Sequence, residues 1–192
     1  MGLKLITPSD YEPVPLLEMK DHLRIDTTDD DVLILLLMKA AREYCERYQN
    51  RTYLMQTWEL TLDEWPANGI IRIPKPPLQA SEMSIKYYGT DGTEYTWDAS
   101  KYQIDTHREP GRVAPVYGET WPSTILRPLN GIIITFVAGY ANVDAIPQRV
   151  KQAIKVLVGH LYEHREATDL KELKEVPFAV HALLGLDRIW LT

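Results

Sequence analysis

The sequence contains very little cysteine. Cys45 is the single cysteine among 192 residues, so a framework of internal disulfide bonds is excluded. Such low use of cysteine is typical of proteins that fold in a reducing compartment. We interpret Cys45 as a small apolar helix residue rather than as a nucleophile, because free cysteines are usually buried.

Long hydrophobic runs and basic clusters are also missing. The longest apolar run, Val32 to Met38, is far shorter than the roughly 20 residues that a membrane helix needs. The N-terminus lacks the pattern of a secretory signal. The net charge is -6 and no Lys/Arg run occurs, which argues against a surface that binds nucleic acid. We expect a soluble protein, made in the cytoplasm, without a membrane partner.

The most distinctive stretch is a predicted helix that follows Asp29-Asp30-Asp31. These aspartates are expected to cap the helix, since carboxylates there accept bonds from free N–H groups and favour the helix dipole. The helix opens with seven consecutive apolar residues, and a helix that is apolar on all sides must be covered on all sides. Either a second subunit or another tightly packed layer could provide this cover, and we predict that Val32, Leu35 and Leu36 form an interface with another copy of the chain.

Helical patterns surround a region with the period of β-strands. An extended arm, residues 1–14, precedes a short helix that runs from Pro15 to about residue 24, and further helices begin at Pro147 and near Pro177. Between them, alternation of apolar and polar residues predicts five to seven antiparallel strands in one small sheet.

The predicted fold class is therefore α+β. A helical bundle is formed by the N- and C-terminal helices, residues 1–51 and 147–192, and an antiparallel β subdomain, residues 52–146, is inserted between them. Both parts of the bundle must come together across this insertion.

One short pattern could hold a metal. His160, Glu163 and His164 spell H-x-x-E-H on a predicted helix, and two histidines on one helical face can bind zinc while the glutamate activates a water. The third ligand is missing, although the remaining chain offers Glu166, Asp169, Glu172, Glu175 and Asp187. We favour histidines that pack at the edge of the apolar stripe and predict no metal site; a zinc-dependent peptidase stays as an alternative.

Four tryptophans of the β region raise a second alternative, a β-domain binding module. Their rings could stack on a sugar or a base, but their alternation with polar residues favours a role in the core; they are Trp58, Trp65, Trp97 and Trp121. No nucleophile elbow, Walker A loop or dinucleotide fingerprint occurs. We predict that the chain is not an enzyme and needs no cofactor.

Short motifs follow one another along nearly the whole chain. They include Leu23-Arg24-Ile25-Asp26, Trp65-Pro66, Ala138-Gly139-Tyr140, Ile146-Pro147, His160-x-Tyr162-Glu163-x-Arg165-Glu166 and Val176-Pro177. In their order and spacing the chain resembles a family of tailed-phage head–tail connector (adaptor) proteins, also found in prophages and gene-transfer agents. Within this resemblance the histidine pattern is a helix signature of the family.

The resemblance implies a structural virion protein. Family members form a ring, usually of twelve subunits, below the portal, where they extend the DNA channel toward the tail. The implied partners are further copies of the chain, the portal protein and the next neck or tail-completion protein, while DNA passes through without specific binding. The implied location is the virion neck, with host cytoplasm during assembly.

The C-terminal residues are our candidate portal-binding segment. Exposed tryptophan and arginine are enriched at binding hot spots, and the predicted segment consists of Arg188, Ile189, Trp190 and Leu191. A head-to-tail interface closes into a ring when the rotation per subunit permits it, which is compatible with the apolar helix as the lateral contact.

Overall fold

The computed structural model describes residues 1–164 and 177–190. The helices are α1 (Leu16–Leu23), α2 (Asp31–Gln49), α3 (Gln148–Glu163) and α4 (Phe178–Gly185); the strands are β1 (Gly2–Thr7), β2 (Gln56–Leu62), β3 (Ile71–Ile73), β4 (Leu78–Tyr88), β5 (Glu94–Trp97), β6 (Tyr102–Asp105), β7 (Gly111–Pro115) and β8 (Ile132–Ala138). The predicted α+β class is confirmed. Among the described helices, none has the length and apolar character to cross a membrane.

The chain divides into two compact units. The β unit comprises Met1–Ser9 and Met55–Gly139, and the helical unit comprises Asp10–Leu54 and Tyr140–Thr192. Each unit therefore consists of two pieces of chain that are distant in sequence. The boundaries predicted from the sequence, at residues 51–52 and 146–147, stay a prediction for where the chain can be cut into independently folding parts.

The β unit consists of two antiparallel sheets rather than the one sheet expected. Five strands pair in the order β1-β2-β8-β4-β5 and three in the order β3-β7-β6. Residues of both sheets, among them Leu60, Ile134, Ile73 and Val113, are buried in one shared apolar cluster. The sheets thus face each other across a common core, because each has one apolar face that must be removed from water.

The N-terminal arm forms part of this unit. Residues Gly2–Thr7 pair with β2 at the edge of the five-stranded sheet, with Leu3 opposite Leu60 and Leu5 opposite Trp58. The predicted extended arm, residues 1–14, is thus a paired strand over Gly2–Thr7. The paired residues of β2 lie at least fifty residues away in sequence, so local pattern does not show which strand β1 pairs with.

The helical unit is built around α2 and α3. One face of α2 is buried through Ile34, Met38, Ala41 and Cys45, at the three- and four-residue spacing of a helix. These residues share an apolar cluster with Val150, Ile154, Leu157 and Val158 of α3 and with Val180 and Leu184 of α4. The two distant pieces of the helical unit are therefore joined through a single core.

Two of the three aspartates at the start of α2, Asp30 and Asp31, bond side chains of neighbouring helices. Asp30 occupies the N-cap position without a cap bond from its side chain, and its carboxylate accepts a hydrogen bond from the Tyr162 hydroxyl of α3. Asp31 accepts one from Nζ of Lys20 in α1, at 2.6 Å. The predicted capping role was wrong for Asp30, because partners from other helices compete for the same carboxylate oxygens.

Candidate assembly surfaces

The first turns of α2 leave an apolar face uncovered. Val32 is 72% exposed and Leu36 is 62% exposed, while Leu35 is nearly half-exposed. The neighbouring Ile34 and Met38 are buried, so the helix buries one side and presents the other to solvent. Within the described residues, the predicted interface side chains are thus available for a partner.

This face is unusual for a helix on a solvated surface. The exposed side of a helix normally carries charged residues, as α2 itself does further on with Lys39, Glu43 and Arg47. Contiguous exposed apolar patches mark sites of protein–protein contact. The arrangement can therefore supply the apolar part of an interface, and it offers no acid, base or nucleophile for chemistry.

The second candidate surface is the C-terminal segment after α4. Its backbone is tied to the end of α2: the amide of Ile189 donates to the carbonyl of Gln49 at 2.9 Å, and Asn50 Nδ2 donates to the carbonyl of Ile189 at 2.8 Å. Arg51 Nε donates to the carbonyl of Asp187 at 2.8 Å. These bonds hold the segment in one place, and sequence analysis missed the three residues that do so.

Arg188 and Trp190 of this segment form a stack with α2. The Arg188 guanidinium lies 4.7 Å from the ring centre of Tyr48 and 4.4 Å from that of Trp190. Trp190 is 70% exposed, whereas Arg188 and Ile189 are half-buried. Of the predicted portal-binding residues, Trp190 therefore projects furthest; Leu191 lies outside the described residues.

A buried ionic network stabilises the same helix. Arg42 donates to Glu12 at 2.8 Å and to Glu46 at 3.0 Å, and Glu46 also accepts the backbone N–H of Tyr53 at 2.8 Å. Burial lowers the pKa of Arg42, but the hydrogen bond to Glu12 and the charge of Glu46 outweigh it and leave that pKa raised. The network fixes α2 against its neighbours and takes part in no evident chemistry.

The two histidines of the H-x-x-E-H pattern are neighbours on α3. Their ring centres are 4.7 Å apart, and Nδ1 of His164 lies 2.9 Å from the carbonyl oxygen of His160. No group of three potential ligands that could hold a metal ion occurs among the described residues. Of the candidate third ligands, Asp187 pairs with Arg149, and the other four lie outside the described part of the chain.

Three of the four tryptophans of the β unit pack on one another, and the ring of the fourth, Trp58, lies 5.5 Å from Nζ of Lys75. The rings of Trp65 and Trp121 stack with centres 4.6 Å apart, and that of Trp97 lies 4.7 Å from Trp121. Trp97 is buried in the core, and Trp58, Trp65 and Trp121 pack against it. This arrangement uses the ring faces inside the unit, which argues against an open stacking platform for a sugar or a base.

Part of the chain that carries these surfaces matches a known protein family. Residues 14–104 match the family of the phage gp6-like head-tail connector protein. The resemblance to head–tail connectors is confirmed. The matched part includes α1, α2 and β2 to β5, so it carries the uncovered apolar face of α2. No curated protein matches the connector-like chain at the level of sequence.

Three solved structures share the fold of this connector-like chain. One is a chain in the neck of an empty gene transfer agent (GTA) particle computed with C6 symmetry, with a TM-score of 0.81 and 23% sequence identity. The second is a chain in the virion of the native GTA particle, with a TM-score of 0.80 and 22% identity. The third is a chain in the neck of the native GTA particle computed with C12 symmetry, with a TM-score of 0.78 and 22% identity. Each match covers 100% of this chain and 97% of the other. The likeness therefore extends over the complete fold.

Proposed function

We propose that this chain is a structural virion protein, a head–tail connector that forms a ring in the neck below the portal, extends the DNA channel and joins the tail. The observation that carries the proposal is the connector family match over residues 14–104. The likeness of the whole fold to neck proteins of GTA particles supports the same role.

In this role the exposed face of α2 is the lateral contact between subunits. Burial of apolar side chains contributes roughly 25 cal/mol for each Å² removed from water, so covering Val32, Leu35 and Leu36 with a neighbouring subunit would stabilise the ring. A head-to-tail contact that repeats by rotation closes into a ring. The GTA necks computed with C6 and C12 symmetry are compatible with such a ring, for which we propose twelve subunits.

The remaining surfaces would serve the other partners. Trp190 presents a large apolar ring at a fixed position, as an anchor residue for the portal requires. The negative net charge of the chain suits a channel in which DNA slides, because a basic lining would bind the phosphates. The next neck or tail-completion protein would bind the opposite end of the ring.

Electron microscopy of the full chain, mixed with the portal protein of the same genome, tests the proposal. We expect rings stacked coaxially on the portal. Failure to associate with the portal at any salt concentration would overturn the proposed role and favour a binding function instead.

A matched pair of variants tests the α2 interface. Leu36→Asp places a charge in the proposed contact and should reduce ring formation at least tenfold. Leu129→Asp makes the same change at a leucine of the β unit that is 72% exposed and should leave ring formation intact. Equal ring yields for both variants would show that the face of α2 is not the contact.

A structural role also predicts the absence of turnover. The zinc peptidase alternative instead predicts bound zinc and cleavage that a chelator stops. Metal analysis of the purified protein separates the two, because only the peptidase requires bound zinc. In a peptidase, Glu163→Gln would also abolish cleavage.

A further inference from the structure

The five-stranded sheet has two open edges. Strand β1 is its first strand and β5 its last, and no further strand pairs with either within residues 1–164 and 177–190. An edge strand presents unpaired backbone N–H and C=O groups that can add another strand. Residues of β1 are exposed throughout, so this edge is accessible along its full length.

On the core face of this sheet, the side chains of β1 are only partly covered. One row of paired residues crosses all five strands through Leu3, Leu60, Ile134, Ile85 and Trp97. The last four are buried, whereas Leu3 is 38% exposed and Leu5, on the same face of β1, is 40% exposed. The opposing sheet has three strands, and neither leucine belongs to the shared core.

The opposite edge shows the same feature. Tyr95 of β5 pairs with Tyr87 on the face that carries Trp97, and its ring stacks on Tyr87 with centres 5.1 Å apart. Tyr95 nevertheless stays 38% exposed. Both edges of the sheet thus present apolar side chains that belong to the core face but are only partly covered.

These two edges are complementary to each other. Four pairings of neighbouring strands lead across the sheet from β1 to β5, and each of them is antiparallel. Strands β1 and β5 therefore run in the same direction. A subunit rotated about a ring axis can therefore place its β1 beside β5 of its neighbour as a parallel pair, with both core faces on the same side. On the other face, the positive Lys4 would approach Glu94, whose carboxylate is already paired with Lys86 at 2.7 Å, so that an opposite charge is added beside an existing ion pair.

We propose that β5 of one subunit pairs with β1 of the next, so that the five-stranded sheets of successive subunits join into one continuous sheet around the ring. This inference rests on the proposed connector role. The partner is a second copy of the chain, because the two exposed edges match in direction, charge and apolar face. Leu3 and Leu5 would then be covered by Tyr95 of the neighbouring subunit.

The size of such a ring is reasonable for a DNA channel. Neighbouring strands lie about 4.8 Å apart, so five strands span about 24 Å and twelve subunits give a circumference of about 290 Å. This corresponds to a diameter of about 90 Å, which leaves room for duplex DNA inside. A continuous sheet can therefore close without stretching its strand spacing.

Two measurements on the full chain, assembled on its portal, test the contact. Leu5→Lys puts a charge on the core side of the edge, a substitution that blocks edge pairing, and should reduce ring yield at least tenfold. The control Leu129→Lys should assemble as the unmodified chain does. In addition, Leu5→Cys protein mixed with Tyr95→Cys protein should form a disulfide between subunits, since adjacent strands satisfy its geometry; a Leu3→Cys variant covers a shifted register.

The outcomes separate this inference from the connector role. Rings that form normally from Leu5→Lys, without a disulfide between the edge positions, would overturn the continuous sheet and leave the connector role standing. Disulfides only between two copies of Leu5→Cys would also overturn it, because the edges would then pair with themselves. If the unmodified chain forms no ring, the connector role fails and the continuous sheet fails with it.

Discussion

The two units solve the problem of joining distant chain segments in different ways. In the helical unit, buried polar side chains add directional bonds to the shared apolar core: Arg42 donates to Glu12, and Gln49 donates to the carbonyl of Leu184. In the β unit the connections are backbone ladders and stacked aromatic rings.

The difference follows from the secondary structure. A helix satisfies its own backbone, so the register between two helices must be set by side chains, and directional bonds set it more sharply than apolar contact. A sheet sets register through its ladder, and its side chains are free to be apolar. We therefore expect removal of a buried charged side chain to lower the stability of the helical unit. In the β unit we expect the loss of stability when a buried apolar side chain is made smaller.

Cys45 offers the largest expected effect. Burial, and then the charge of Glu46, raises the pKa of this thiol from 9.0 to about 12, so the reactive thiolate should be about a thousandfold scarcer in the folded protein. We expect very slow reaction with a thiol reagent at pH 8 and fast reaction in denaturant. Native labelling within tenfold of the denatured rate would show that the helical unit is open.

Glu46→Ala should break the helical unit. The substitution leaves Arg42 buried with fewer partners and removes the acceptor of the Tyr53 N–H, which should cost about 3–5 kcal/mol of unfolding free energy. Chemical denaturation measures this loss. Glu43→Ala, at an exposed position of the same helix, should change stability by less than about 0.5 kcal/mol; similar losses for both would contradict the role of the network.

Ile134→Ala makes the matching change in the β unit. Ile134 is fully buried at the centre of the sheet, so the cavity should cost about 2–5 kcal/mol. Ile133 lies next to it on the opposite face and is half-buried, so Ile133→Ala should cost clearly less. An equal cost, measured by denaturation, would mean that the two faces of β8 contribute alike.

Arg188→Ala should have the smallest effect. It removes a cation that lies over two aromatic rings, contacts worth about 0.5–1 kcal/mol each when exposed. Arg108→Ala, at an exposed arginine of the β unit, is the control and should be neutral. A thermal shift of Arg188→Ala no larger than that of the control would show that the stack does not hold the C-terminal segment.

The sequence was informative where a pattern is local. The seven apolar residues that open α2 correctly indicated more apolar surface than the described part of the chain covers, since Val32 and Leu36 are exposed there. Pro147 and Pro177 marked the starts of α3 and α4. Both signals depend on residues within one or two turns of helix.

Features that depend on distant partners were not predictable. The strand β1 forms because β2 offers an edge, and the bonds of Asp30 and Asp31 depend on Tyr162 and Lys20. The division into two sheets likewise depends on which strands pair. Alternation of apolar and polar residues predicts strands but not their pairing partners. Some of the predicted interface and portal-binding residues, such as Val32 and Trp190, are exposed. Their roles in assembly stay predictions.

Electron microscopy of particles made by a genome that lacks this coding sequence tests the central claim most directly. A connector that joins head and tail predicts heads and tails that accumulate separately, with normal particles restored when the protein is supplied from a plasmid. Tailed particles of normal number and appearance in its absence would contradict the connector role.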